Sequence, residues 1–404
     1  MTREGTPGAL RAATRNMLKA GLYAEPQWIL GLMSGTSLDG VDVALLRTDG
    51  EIVDTTGPAA FVPYAADQTE ALTRLMADPF GVRERRVPGA AALMAEAGRE
   101  VDRLHAGATA ALLATVTEIP LVIAYPGQTA AHAPERRWTW QLGDGAALAR
   151  ALNRPVVWDF RSADIEAGGQ GAPLAPFFHH AAVRRAEIEG PVAILNIGGV
   201  ANVTWVDPSV ADPAAPGALM AFDTGPGNAL LNDWMAARTG QAYDAGGAAA
   251  AAGAAERAAL SRRFATNFVA DFLARPAPKS LDRNAFNTLP ALLEGASTEG
   301  GAAALTGFTV DCVAAAVQHL PRPPQRWLVC GGGRLNDTMM RWLAETLGAP
   351  VAPVEAIGLD GDMLEAQAFA YLAARILREL PTSAPGTTGC PSPVTGGRLA
   401  LPGR

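Results

Sequence analysis

The chain has 404 residues and a formal net charge of −7, with basic residues scattered along it, which excludes the electrostatic footprint of a nucleic-acid binder. Its residues are 49% hydrophobic, yet no uninterrupted apolar run approaches membrane-spanning length, so a cytoplasmic globular protein of two domains is expected, with no membrane partner. Cys312, Cys330 and Cys390 have neither metal-type spacing nor the number for a disulfide framework, and they read as buried thiols.

Residues 1–26 carry Arg3, Arg11, Arg15 and Lys19 without an apolar core, and read as a disordered or partly helical extension rather than a secretory signal. Trp28 to Leu46 follows as two apolar runs around a turn holding Ser34, Gly35, Thr36, Ser37, Leu38, Asp39 and Gly40. Glycine lets backbone N–H groups come close to a phosphate, the hydroxyls add donors, and Asp39 and Asp42 suit a metal held directly or through water. The turn has no lysine and no Walker pattern, and alone it reads equally well as an ordinary hairpin. A turn at Gly50 to Val53 leads into an edge strand. Leu93, Ala97, Val101, Leu104, Ala108 and Leu112 then recur at helical spacing within 90–116. Pro120 to Tyr125 and Pro155 to Phe160 read as buried strands. Between them lie a polar loop, the short strand WTWQLGD and a helix around 146–152. The glycine-rich stretch Arg161 to Pro176 is long enough to read as a functional loop.

A second hairpin of the same design, VAILNIGGVANVTWV, begins at Val192 and points to two related α/β halves. LMAFDTGPGN (219–228) is a strand ending in a tight loop before a helix over 229–238. The Ala/Gly tract 244–253 reads as a weakly ordered loop, because such residues bury little area. Helices fit 302–320, 338–347 and 363–380. RWLVCGGGRLN (326–336) reads as a buried strand meeting three glycines at a helix start. Four glycine-rich turns after strands fit a nucleotide clamped between two domains. The CGGG turn is the best placed to approach an adenosine or its phosphates, with plain helix–strand packing as its alternative reading.

In their order and spacing, nine segments resemble the anhydro-N-acetylmuramic acid kinases, from about Ile29 to Gly397. They are GLMSGTSLDGVD (31–42), GQT with His132, DFRSADIEAGGQGAPL (159–174), NIGGVANVT (196–204), FDTGPGN (222–228), PKS (278–280), CGGGRLN (330–336), EAQAFAYLA (365–373) and TTG (387–389). The resemblance implies an actin-like, hexokinase-like α/β ATPase fold of two domains, each a mixed sheet flanked by helices, with ATP in the central cleft and Mg²⁺ as cofactor. After a disordered extension over 1–26, domain I takes 27–160 and about 365–380, domain II takes 161–364, and 381–404 is an irregular tail. The implied reaction opens the internal ether of 1,6-anhydro-N-acetylmuramic acid with water and phosphorylates O6, in peptidoglycan recycling.

The resemblance makes Asp223 the base that takes the proton of the attacking water. It places ATP on Ser34, Gly35, Thr36, Ser37, Leu38, Asp39, Gly40 and Asp42, on Asn196, Gly198 and Gly199, on Gly225, Gly227 and Asn228, and on Gly331, Gly332, Gly333 and Asn336. Asp39 is the metal-side carboxylate. The sugar falls to Gln128, Thr129, Arg161 and Glu365. Arg161 suits the lactyl carboxylate because guanidinium pairs with carboxylate bidentately. For Glu365 an offset of the helix dipole is nearly as good a role. Lys279 and Ser280 are expected near the substrate, and the family suggests a homodimer. Two departures fall toward the sugar side: Tyr125 and Pro126 where relatives read serine and histidine before GQT, and Asp282 where a glycine is usual. Another anhydrosugar such as levoglucosan is therefore an alternative acceptor, and a non-catalytic actin-like ATPase is the alternative class.

Overall fold

The computed structural model describes residues 7–35, 37–281 and 285–403. Thr36 of the first turn, Asp282 of the PKS loop and residues 1–6 of the expected extension lie outside the described residues. The chain divides into two units, Met1–Arg185 with Met363–Arg404, and Ala186–Asp362. The strands, in chain order, are β1 (Gln27–Met33), β2 (Gly40–Thr48), β3 (Val53–Pro63), β4 (Val122–Tyr125), β5 (Gln128–Ala133), β6 (Trp138–Leu142) and β7 (Val156–Trp158). They continue with β8 (Val192–Ile197), β9 (Val200–Val206), β10 (Leu219–Pro226), β11 (Arg326–Cys330), β12 (Val351–Pro353) and β13 (Arg398–Ala400).

In the first unit the main sheet runs β13-β7-β4-β1-β2-β3, and β5 with β6 forms a separate pair. β1 is antiparallel to β2 and parallel to β4, and β4 is parallel to β7. Alternation along the strands sorts side chains to two covered faces. Leu30, Leu32, Val41, Val43 and Leu45 join a core with Leu93, Ala97, Val101, Leu104, Ala108 and Leu112 of the helix Ala90–Leu113, the face that the sequence periodicity marked. On the opposite face Ala44 packs on Met363 and Ala366 at the start of the helix Leu364–Leu377. Gly31 lies on that face inside β1. A Cβ there would sit 1.8 Å from the Ala366 carbonyl oxygen, so this glycine serves backbone packing rather than the turn.

The second unit repeats the design. Its sheet runs β10-β9-β8-β11-β12, with β8 antiparallel to β9 and parallel to β11, and β11 parallel to β12. This is the order and sense of β3-β2-β1-β4-β7, so the two mixed sheets expected from the paired hairpins are present. Ile197, Val203, Trp205 and Phe222 pack into a core with Phe272, Phe286, Phe308 and Val310. The helix Thr298–Ala316 is buried on most of its surface. The stretch Thr298–His319 is apolar and long enough to cross a membrane by composition alone, but 78% of that window is buried inside the unit, so it is a core element.

Four expectations need correction. The first boundary falls at Arg185/Ala186 rather than near 160, because the helix Pro176–Arg185 packs on β3 and on Leu364–Leu377, with Phe178 against Tyr371 at 6.1 Å. Residues 7–24, expected within a disordered or partly helical extension, are helical throughout as Pro7–Ala24, held by Lys19 Nζ donating to Glu379 Oε2 at 2.6 Å. The tail is not wholly irregular, since β13 adds to β7 and Arg375 Nη1 and Nε donate to the carbonyls of Gly50 and Pro381. Finally, the Ala/Gly tract is ordered. The helix Ala248–Ala252 is capped by Asp244, which accepts from Ala249 N at 2.8 Å and Ala250 N at 3.0 Å. Gly253 then meets the backbone of Glu299, where a Cβ would come within 2.0 Å of its carbonyl oxygen, so small residues here allow close helix contact.

Gly31→Ala is expected to destabilise the chain by about 2–4 kcal/mol through overpacking against the Ala366 carbonyl. Urea unfolding followed by far-ultraviolet circular dichroism measures this. A loss below about 0.5 kcal/mol would show that β1 and the helix separate easily.

Candidate active site

In the first unit the β1–β2 turn is drawn tight by Leu38 N donating to the Gly35 carbonyl at 3.3 Å. Leu38 itself has φ 55°, a left-handed conformation that an L side chain adopts at a cost of about 1 kcal/mol. Its side chain packs against the core on the helix Ala90–Leu113, which holds it there. Gly40 has no room for a Cβ, which would meet Val62 O at 2.5 Å. The Ser34 hydroxyl is buried beside the Tyr64 hydroxyl, whose pKa burial pushes up to about 12, with Ser34 opposing.

Ser37 Oγ donates to Asp39 Oδ1 at 2.9 Å, and Asp39 is exposed. This all-oxygen donor set suits a hard divalent cation that takes one or two carboxylates and fills its sphere with phosphate and water. No group of three acidic, His or Cys side chains that would hold a metal unaided occurs among the described residues. Asp42 lies within β2, paired with Met33.

Gln128, expected on the sugar side, is fully buried and donates from Nε2 to the Gly35 carbonyl at 3.1 Å, while its Oε1 has no partner. It therefore braces the β1–β2 turn, a link that no spacing in the sequence signalled. Thr129 Oγ1 accepts from Gln141 Nε2 at 3.4 Å across the β5–β6 pair. Arg161 precedes the short helix Ser162–Glu166, donates from Nη1 to the Gly171 carbonyl at 2.7 Å and lies 6.0 Å over the Phe369 ring. Burial lowers its pKa, opposed by the charges of Glu365 and Asp164. Glu365 opens the helix Leu364–Leu377 and reaches solvent, yet the protein around it removes enough water to raise its pKa, with Arg161 opposing. No salt bridge joins the two, so both charged groups keep hydrogen-bonding capacity. His132 sits by the same loop, its Cε1 being 3.3 Å from where a Gly171 Cβ would stand, and burial with the Arg161 charge lowers its pKa.

In the second unit the three glycine turns meet. Asn228 N donates to the Gly198 carbonyl at 2.7 Å, Gly227 N to the Gly199 carbonyl at 3.0 Å, and Asn228 Nδ2 to the Ile197 carbonyl at 3.1 Å. Gly331, at φ 71°, lies against Asn196, where a Cβ would be 2.5 Å from Oδ1. Gly333 lies against Ile197 in the same way. Gly199 and Gly332 stay exposed. Gly225 is different: a Cβ there would meet the Cys312 Cβ at 2.7 Å, so it is a packing glycine. Asn336 caps the helix Asp337–Leu347, accepting from Met339 N at 2.8 Å.

Asp223 stands on β10 just before a register shift opposite Ala201 and Asn202. Its N–H donates to the Lys279 carbonyl at 2.9 Å, and its Oδ2 accepts from Leu281 N at 2.7 Å. The backbone of 279–281 thus holds the residue at two points, its N–H through Lys279 O and its carboxyl through Leu281 N. Burial raises its pKa from 3.8 to about 6, against the Leu281 hydrogen bond, which lowers it. Lys279 was expected near the substrate, but its ammonium donates to the carbonyls of Phe272 and Leu273 at 3.1 and 3.2 Å. Those are the orphan acceptors at the end of the helix Asn267–Ala274, so the side chain caps and the backbone positions.

A chain duplicated in this way, with open glycine turns on its hairpins and a carboxyl tuned toward neutral pH, belongs to the class of α/β sugar kinases. Residues 27–401 match the family model described as anhydro-N-acetylmuramic acid kinase. The anhydro-N-acetylmuramic acid kinase of Cereibacter sphaeroides is 50% identical over 386 residues, covering 96% of this chain and 98% of that protein. That of Acidiphilium cryptum is 50% identical over 375 residues, covering 93% and 98%. The chain belongs to the anhydro-N-acetylmuramic acid kinase family. Among solved structures, a ligand-bound xylulose kinase from Lactobacillus acidophilus is 10% identical with a TM-score of 0.42, over 93% of this chain and 94% of that one.

The Asp223 shift has a sign that stability measurements detect. Its folded pKa lies above the unfolded value, so the ionised carboxylate destabilises the fold. That penalty is absent below about pH 4 and complete above about pH 6. Asp223→Asn is therefore expected to gain about 1–3 kcal/mol over wild type at pH 8 and almost nothing near pH 4. Paired urea titrations at the two pH values check it. An advantage independent of pH would contradict the burial of this carboxyl.

Proposed function

We propose that the protein is an ATP-dependent kinase that opens the 1,6-anhydro ring of 1,6-anhydro-N-acetylmuramic acid and phosphorylates O6. The products are N-acetylmuramic acid 6-phosphate and ADP, and the setting is recycling of the cell's own peptidoglycan in the cytoplasm. The observation that carries the reading is the Asp223 carboxyl, held by Leu281 N, on a residue whose N–H is held by Lys279 O, and raised to about 6, since a general base works best with a pKa close to the operating pH. The family's suggestion of a homodimer belongs to the same reading.

In the reaction Asp223 takes a proton from water, whose oxygen bonds to the anomeric carbon. The bond from that carbon to O6 breaks, and O6 attacks the γ-phosphorus of ATP, releasing ADP. Phosphoryl transfer needs positioning and charge neutralisation more than covalent participation. Ser34, Gly35, Ser37 and Gly40 supply amide and hydroxyl donors on one hairpin. Gly199 and Gly332 supply exposed backbone on the loops of the second unit, which Gly198, Gly227 and Gly331 allow to pack closely. Asp39 is the carboxylate that would hold Mg²⁺, which when bound neutralises phosphate charge. Arg161 pairs with the lactyl carboxylate, Glu365 accepts from a sugar hydroxyl, and Gln128 holds the phosphate turn in shape.

With ¹⁸O-labelled water, label is expected at the anomeric hydroxyl and none in the transferred phosphate. Label in the phosphate, or phosphorylation with the ring intact, sinks the mechanism. Asp223→Asn should lower kcat by about 10²–10⁴-fold with ATP affinity near wild type, and wild-type kcat/KM should fall on the acid side with an apparent pKa near 6. Arg161→Ala should raise KM roughly 10- to 100-fold for the muramic sugar and leave levoglucosan kinetics unchanged. Equal losses on both sugars would favour the levoglucosan reading.

A further inference from the structure

The TTG stretch 387–389 recurs among the motifs of the resemblance and has no part in the chemistry described above. The structure shows what it touches. Asp164, on the short helix after Arg161, is 2% exposed, and its carboxylate is enclosed by donors from two distant parts of the first unit. Oδ1 accepts from Ser383 Oγ at 2.5 Å and from Thr388 Oγ1 at 2.6 Å. Oδ2 accepts from Gly171 N at 2.6 Å. The backbone adds to the tie, since Gln170 N donates to the Thr388 carbonyl and Gly169 N to the Asp164 carbonyl, both at 2.8 Å. Gly169 has no room for a Cβ, which would stand 2.2 Å from Asp164 Oδ2.

The residue Asp164 holds is the one that holds Arg161. Gly171 gives its N–H to Asp164 and its carbonyl to Arg161 Nη1 at 2.7 Å. Gly171 is at φ +68°, and a Cβ would meet Ile165 Cγ1 at 2.8 Å, so its peptide is fixed on both sides. The guanidinium has no carboxylate partner of its own within ion-pair distance, and this carbonyl is what orients it. The anchor is itself anchored: Thr382 N donates to Val394 O at 2.8 Å, and β13 pairs with β7, the strand that leads to Arg161.

We infer that Asp164 is a positioning residue for Arg161, and that the C-terminal segment 383–388 is a strap that sets recognition of the sugar's carboxylate. The inference rests on the reading of Arg161 as the partner of the lactyl carboxylate. A buried carboxylate satisfied by three donors resists displacement, because loss of any one leaves desolvated charge without a partner. Movement of Gly171 by a fraction of an ångström would misalign a bidentate pair while leaving ATP and the water-activating base untouched.

The test uses the full chain with two sugars, 1,6-anhydro-N-acetylmuramic acid and the same anhydrosugar without its lactyl ether, with binding measured by calorimetry alongside kinetics. Thr388→Val removes one donor, Thr388→Ser restores it, and Asp164→Asn weakens all three bonds. Expected is a rise in KM and Kd for the lactyl sugar of about tenfold in Thr388→Val and more in Asp164→Asn. Expected too are kcat and the KM for ATP within about twofold of wild type, rescue by Thr388→Ser, and no change for the sugar lacking the lactyl group. Added to Arg161→Ala, Asp164→Asn should cost nothing further. Equal losses on both sugars, or losses confined to kcat and thermal stability, overturn the positioning role and leave the strap a folding device. If Asp164→Asn does not fold, Thr388→Val decides alone. If Arg161→Ala leaves lactyl-sugar binding unchanged, the reading of Arg161 fails, and that result is distinct from a failure of Asp164.

Discussion

The closeness of backbone to backbone is the constraint on which both units depend. Gly31 under the Ala366 carbonyl, Gly227 against the Gly198 carbonyl and Gly331 against the Ile197 carbonyl all sit where a Cβ would crowd a neighbouring main-chain atom. Each contact removes a side chain so that two main chains meet. In the first unit this brings the helix that begins at Glu365 onto β1, directly before the turn with Ser34 and Gly35. In the second it brings the loops 197–199 and 227–228 so close that their amides and carbonyls satisfy one another, with Gly331 and Gly333 packed on Asn196 and Ile197, while Gly199 and Gly332 remain exposed. A ligand-facing surface made of backbone has little conformational entropy left to lose, which is the advantage of building it this way.

Charge is handled on the same principle of few, well-held groups. Asp223 accepts one backbone hydrogen bond and no salt bridge, so burial prevails and its pKa rises. A cation within pairing distance would return the carboxylate to its usual range and make it a weaker base. Lys279, whose carbonyl accepts from the Asp223 N–H, instead turns its ammonium away to the carbonyls of Phe272 and Leu273. The arrangement keeps the lysine backbone against Asp223 and its charge away from the carboxyl.

How much of this was legible in the sequence depended on whether the signal was periodic or spatial. Apolar repeats marked the helix Ala90–Leu113, and two-sided burial marked β4, because those patterns follow from local geometry. The paired hairpins announced two sheets of one design. The Ala/Gly tract was misread because low side-chain area suggests disorder, whereas at Gly253 small size is what lets two helices touch. The loop 161–176 was placed with the wrong unit because its ties to Ser383 and Thr388 span more than half the chain. The tie from the Gln128 amide to the Gly35 carbonyl was not legible, since nothing in a linear motif reveals a contact 93 residues away.

The altered motif at 125–129 shows where substitution is tolerated. Tyr125 and Pro126, which replace the serine and histidine of relatives, are both buried. The Tyr125 ring packs in the core with Ile123 and Leu148, and its hydroxyl donates to Asp102 Oδ1 at 2.8 Å. Asp102 also accepts from Asp144 N at 2.8 Å, and Gly143 leaves the room that the phenol needs, since a Cβ there would lie 2.0 Å from the Tyr125 oxygen. The larger residue is therefore accommodated inward by a local set of partners. The next residues keep their polar work, with Gln128 bracing the β1–β2 turn and Thr129 on the β5–β6 pair. Because the change is absorbed by packing, the proposed discrimination between anhydrosugars rests on Arg161 and the loop that aims it, not on the motif that departs from the family.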